Sequence, residues 1–246
     1  MKIAIQRWWA CLLLVILISS VTLVGCSSQT TDARESAEQI EDTTSIAGEA
    51  SSNPMKDYLP RLDGKAIVEM TVNGSPITIE LNGEDAPITA GNFADLVERG
   101  FYDGLVFHRV IKSPDPFVAQ GGDPKGNGTG GFIDPETKGQ RYIPLEIKLK
   151  GDEEPTYSTA LGRQAGKSGP PVVLPHTRGA IAMARSQAPD SASSQFYFAL
   201  ADLAFLDGDY GVFGYVTSGM DVVDGIEEGD IIQKATIIEG KENLKR

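Results

Sequence analysis

The chain has 246 residues, with 22 basic and 34 acidic side chains and a formal charge of −12, which suits one sizeable domain with extra segments, or two small domains. No basic run stands out, so a nucleic-acid surface is excluded. The 27 glycines point to many turns.

Residues 1–25 are a different material from the rest. Lys2 and Arg7 give a positive start, and an apolar run follows from Trp8 to Val24, broken by Ser19, Ser20 and Thr22. That is the layout of a secretory signal peptide. An uncleaved anchor helix is the alternative, for which the run is slightly short of the ~20 residues of a span. Leu23-Val24-Gly25-Cys26 resembles the lipobox of bacterial lipoproteins. In that family the cysteine carries diacylglycerol, the chain is cut before it, and the new N-terminus is acylated. The resemblance implies lipidation of Cys26 and an exported, membrane-anchored lipoprotein facing the periplasm or another extracytoplasmic space. Two or more acyl chains give stable anchoring, whereas one is marginal. Cys11 would leave with the signal peptide and Cys26 would be capped, which excludes thiol catalysis, disulfides and cysteine zinc sites. Without Lys2 and Arg7, 20 basic residues face 34 acidic ones, a mature charge of −14.

Residues 26–60 form the lipidated N-terminus and a tether rich in Ser, Thr, Glu, Asp and Ala. Its apolar residues are too sparse to offset the entropy of ordering. The folded domain spans 61–246. Ala66–Val72 reads as a strand, Asn73-Gly74 as a hairpin turn, and Ile77–Leu81 alternates. Pro87 to Arg99 reads as a helix with Ile88, Phe93, Leu96 and Val97 on one face and Gly100 as its stop. Short strands follow at Val106–Ile111, Phe117–Gln120, Ile143–Ile147, Ala180–Ala184, Phe196–Leu200 and Val212–Val216. A second helix is predicted over Met220–Ile226 and a closing strand over Ile231–Glu239. Many short strands with two helices suggest a closed antiparallel barrel with helical caps. Residues 151–175 are polar, carry Gly169-Pro170-Pro171, and read as a surface insertion.

Two motifs are set aside. Gly126–Gly131 fits the spacing of a dinucleotide loop, but Asp123-Pro124 before it and Asp134-Pro135 after it deny the strand and helix that such a loop needs. Gly166-Lys167-Ser168 lacks the first glycine of a phosphate loop, since position 161 is leucine. His108 and His176 show no metal-ligand spacing and read as packed residues.

Four segments remain. They are Phe107-His108-Arg109-Val110-Ile111; Phe117 to Pro124, with Gln120-Gly121-Gly122-Asp123; Gly179 to Arg185 with Ser193-Ser194-Gln195-Phe196-Tyr197; and Phe205-Leu206-Asp207-Gly208 with Tyr210 to Gly214. In content, order and spacing they resemble the cyclophilin family of peptidyl-prolyl cis-trans isomerases, over about Lys65 to Glu239. The resemblance implies an all-β-dominated fold, a closed barrel of eight antiparallel strands capped by two helices, with the active site on its outer face. It implies catalytic Arg109, with Gln120 and Phe117 beside it. Val118, Tyr197, Phe205 and Leu206 match the proline pocket. Gly128, Ala184, Arg185, Ser186 and Gln195 match the groove for the substrate backbone, and Tyr210 stands where many members carry histidine.

The chemistry agrees with the residues. An X-Pro bond turns slowly because resonance gives it a barrier of ~18–20 kcal/mol. No bond breaks, so no nucleophile, metal or cofactor is expected. A donor aimed at the prolyl nitrogen favours the twisted state, whose lone pair appears only there. Arginine suits this, being permanently charged with several fixed donors. By strand alternation His108 faces away from Arg109, and Phe196 and Phe213 read as core.

The partners implied are proline-containing segments of exported polypeptides and, through Cys26, a membrane; a monomer is expected. Three features depart from the family pattern. Three extra residues lie within Lys112–Pro116, Phe205 replaces the usual tryptophan, and Arg185 replaces a common asparagine. Weak cyclosporin binding follows from Phe205, which has no indole N–H. The competing reading is a module that holds proline segments with little turnover.

Overall fold

The computed structural model describes residues 57–58, 60–162 and 171–246. The signal peptide, Cys26 and the tether up to residue 56 lie outside the described residues. After a short strand β1 (Arg61–Leu62) comes the hairpin that alternation predicts. Its strands β2 (Lys65–Val72) and β3 (Ser75–Asn82) pair antiparallel from Lys65↔Asn82 to Val72↔Ser75. Val68, Met70, Ile77 and Ile79 are among the side chains they bury. Asn73 and Gly74 turn the corner with φ of 51° and 74°, the twist a two-residue hairpin loop requires.

Helix α1 (Pro87–Glu98) has proline in its first turn, and Gly100 follows it with φ 67°. The periodicity predicts one apolar face, yet every residue from Pro87 to Val97 is buried. The cause is a cover that the pattern does not announce. β1 pairs with β12 (Leu244–Lys245), and both pack against α1. At Gly91 a Cβ would fall 2.3 Å from the Arg61 Cα, so only glycine lets β1 lie this close to the helix. Ala86 gives α1 no side-chain cap. Buried Glu146 takes that role, accepting from the N–H groups of Ile88 (3.2 Å) and Thr89 (2.8 Å) and the Thr89 hydroxyl (2.7 Å). Burial raises the Glu146 pKa, and those donors only partly offset it.

The remaining strands are β4 (Arg109–Val110), β5 (Val118–Gly121), β6 (Glu146–Ile147), β7 (Thr156–Tyr157), β8 (Ala180–Met183), β9 (Phe196–Ala199), β10 (Val212–Ser218) and β11 (Ile232–Glu239). The second helix, α2, spans Met220–Gly225. Eight strands make one antiparallel sheet in the order β11-β2-β3-β10-β8-β9-β5-β4.

The closed barrel that the strand pattern suggests does not form: the sheet is a curled half-barrel with β11 and β4 as its two margins. β4 is two residues long, and β11 shifts register against β2 at Ile232/Lys234 and Ile237/Glu239. Irregularities of this kind twist a strand away from further pairing. Beyond the strand ends, an isolated Val106↔Ile231 bridge and hydrogen bonds such as Phe107 N–H to the Asp230 carbonyl (2.8 Å) join the margins without a ladder. Phe93, Tyr102, Phe196 and Phe213 fill the core, with edge-to-face contacts of 5.4 Å from Phe196 to both Phe93 and Tyr102.

Residues 151–162 and 171–175 lie outside the eight-stranded sheet but are more than a surface loop. β7 pairs with β6, and Leu161 and Val172 join Leu145 and Ile147 in a small buried cluster. Residues 163–170 of this segment lie outside the described residues.

Candidate active site

The sheet order sets β4, β5 and β9 side by side, with Arg109 opposite Gln120 and Gln120 opposite Tyr197. The Arg109 Nη1–H donates to Gln120 Oε1 (3.2 Å), Gln120 Nε2–H to Gln195 Oε1 (3.0 Å), and Gln195 Nε2–H to the Gly130 carbonyl (2.8 Å). This relay of amides fixes the guanidinium through neutral partners and leaves donors free. The Arg109 guanidinium carbon stands 5.6 Å from the centre of the Phe117 ring.

A cavity of about 270 Å³ opens at Arg109 and Gln120, walled by Phe117, Val118, Tyr197 and Leu206, with Ala184, Arg185 and Tyr210 completing its lining. A groove of about 370 Å³ shares Gln120, Ala184 and Arg185 with it and adds Gly128, Ser186 and Gln195. Thus twelve of the thirteen residues expected at the site gather in two connected spaces. Phe205 is the exception. It is 70% exposed, stacks on Phe117 at 6.1 Å between centroids, and lines an adjoining hollow with Ile111, Pro114 and Leu203.

Three further residues shape the site. His176 is buried between the Asp207 carboxylate (Nδ1, 2.8 Å) and the Tyr197 hydroxyl (Nε2, 3.0 Å). Asp207 also accepts the His176 backbone N–H, and a carboxylate only accepts, so Nδ1–H donates to it while Nε2 faces the Tyr197 hydroxyl. Burial pushes the Tyr197 hydroxyl well above the ordinary tyrosine range. The third is Asp123, whose buried carboxylate gathers the N–H groups of Lys125 (2.8 Å), Asn127 (3.0 Å) and Gly128 (2.6 Å). Burial opposes ionisation of Asp123, but these donors outweigh it and hold the pKa low. The glycine-rich run is therefore a loop wrapped round a carboxylate, and it sets Gly128 on the groove. The half-buried His108 lies next to Gly128, and burial lowers its pKa.

Residues 67–241 match the family model for cyclophilin type peptidyl-prolyl cis-trans isomerases. The chain belongs to this family. A Synechocystis protein named as a thylakoid lumen peptidyl-prolyl cis-trans isomerase is 49% identical over 76% of the chain and 50% of its own length. A chloroplastic one of Arabidopsis thaliana is 41% identical over 76% of the chain and 45% of its own length. The chain thus spans about half the length of these two relatives. A Helicobacter pylori peptidyl-prolyl cis-trans isomerase is 39% identical over 73% of the chain and 94% of its own length. Among solved structures, a Cryptosporidium parvum cyclophilin type isomerase is 26% identical with a TM-score of 0.53, covering 70% of this chain and 97% of that one.

Proposed function

We propose that this cyclophilin is a peptidyl-prolyl cis-trans isomerase that speeds X-Pro isomerisation in exported polypeptides. The observation that carries the proposal is one arginine, Arg109, held by Gln120 at the mouth of a cavity with apolar walls. A proline ring seats among Phe117, Val118, Tyr197 and Leu206. The free donors of Arg109 then meet the prolyl nitrogen as it leaves resonance, and Gln120, Gln195 and the Gly128 loop hold the flanking backbone. Bonds formed mainly in the twisted state lower the barrier without chemistry on any other atom. The chain should accelerate isomerisation of a proline tetrapeptide in a protease-coupled assay. Saturable peptide binding with no acceleration would favour the holding module instead.

The site is reached from outside the cytoplasm on this proposal: residues 1–25 direct export and Cys26 carries the lipid. A thylakoid lumen relative is consistent with export. Cys26→Ser should abolish acyl labelling and leave the precursor uncut; processing and labelling of that variant at the same site would refute the anchor. Cyclosporin should bind weakly, since Phe205 offers no indole N–H, and the domain at 61–246 acts as a monomer.

A further inference from the structure

We infer that the site selects segments with an acidic side chain next to the proline, through a second guanidinium, Arg185, on the same cavity as Arg109. This rests on the isomerase reading above and names its substrate class. Seven arginines lie among the described residues. Arg61, Arg99, Arg141, Arg178 and Arg246 each pair with an aspartate. Arg109 and Arg185 have no carboxylate within ion-pair distance among the described residues, and both line one cavity of about 270 Å³. Among the described arginines, those without a carboxylate partner are thus both in the site.

Arg185 is held in place without being neutralised. Its Nε–H donates to the Asp209 carbonyl (2.7 Å) and its Nη1–H to the carbonyls of Ser186 (2.8 Å) and Gln187 (3.2 Å). Its guanidinium carbon stands 4.9 Å from the centre of the Tyr210 ring. All of these partners are uncharged. The Asp207 carboxylate accepts from His176, and that of Asp209 lies beside Gly162. With a proline ring seated among Phe117, Val118, Tyr197 and Leu206, a group that reaches Arg185 belongs to a residue adjoining the proline. A carboxylate there meets a preorganised cation beside apolar walls, where attraction is screened less than in open water.

The whole-molecule field works the other way, because a chain of charge −12 repels acidic peptides at long range. The two fields therefore predict opposite orders of substrates, which makes the inference decidable. The full chain in mild detergent is assayed on tetrapeptides that differ only in Glu-Pro, Gln-Pro or Lys-Pro, with peptide titrations alongside. Glu-Pro should exceed Gln-Pro in kcat/KM by about threefold to tenfold, as a partly sheltered charge pair allows, with Lys-Pro lowest. Arg185→Gln should bring the Glu-Pro to Gln-Pro ratio to about one, Arg185→Lys should keep most of it, and added salt should shrink it in the unaltered chain. A ratio of one or below in the unaltered chain, or one unmoved by Arg185→Gln, overturns the inference. If Arg185→Gln does not fold, the salt response and Arg185→Lys decide. Charge-ranked binding with no turnover of any peptide would overturn the isomerase reading and keep the selection.

Discussion

Arg109→Ala should lower kcat/KM by about 10²–10³, the usual loss for one preorganised donor that acts on developing charge. Its donors meet a lone pair that the planar amide does not offer, so turnover should fall far more than ground-state affinity. The cavity walls of Phe117, Val118, Tyr197 and Leu206 remain in the variant, and they hold the proline ring. Arg109→Lys should recover only part of the rate. A lysine point charge does not reproduce the fork that reaches Gln120 and the substrate together. Melting temperature should change little, because Arg109 is exposed and is held by one 3.2 Å bond to an amide and one ring contact. Isomerisation rates, peptide titrations and melting curves on the three proteins decide between roles. Near-normal rates in a folded Arg109→Ala chain would sink the mechanism, and a large fall in melting temperature would make Arg109 a stability residue.

The site was legible wherever chemistry lies in contiguous motifs. Arg109, Gln120 and Tyr197 sit on three neighbouring strands, and each strand carries its own recognisable run. The hairpin and α1 were legible because turn residues and stops act locally, as Asn73-Gly74 and Gly100 do. What escaped depends on contacts distant in sequence. The β1–β12 pair joins residues 61–62 to 244–245, and strands of two residues leave no periodic signal. The same pair explains why α1 is buried on every side although its pattern shows one apolar face. Open margins in place of a closed barrel follow from the shortness of β4, which composition does not reveal. His176 carried a weak signal as a lone histidine, since Asp207 and Tyr197 reach it from 31 and 21 residues away. Phe205 stacks on Phe117 beside the cavity and lines the adjoining hollow, a placement that its motif does not specify.

Asp95→Asn should destabilise the fold by about 2–4 kcal/mol, below the full range for a wholly buried pair because two of its partners reach solvent. The Asp95 side chain is fully buried on α1, and three arginines converge on it. Arg99 Nε–H and Arg141 Nη1–H both donate to Oδ2 at 2.8 Å, and Arg246 Nε–H donates to Oδ1 at 2.8 Å. The cluster ties the helix to the segment at 141 and to the residue that follows β12, which covers the helix. Arg141 is 12% exposed and lies 4.5 Å from the centre of the Phe132 ring, so the amide variant would strand its charge against an apolar wall. Arg246, at 47% exposure, can turn to water, and Arg246→Ala should cost little. The pH dependence has a definite sign. Burial opposes ionisation of Asp95, but the bonds from Arg99 and Arg141 outweigh it and hold its folded pKa below the ordinary value. Its contribution is therefore complete above the unfolded aspartate pKa of about 3.9 and is lost as pH falls through the folded value. The gap in melting temperature between the unaltered chain and Asp95→Asn should be constant from neutrality to about pH 5 and close below about pH 4. A gap that stays constant down to pH 2 would show that Asp95 acts through packing rather than charge.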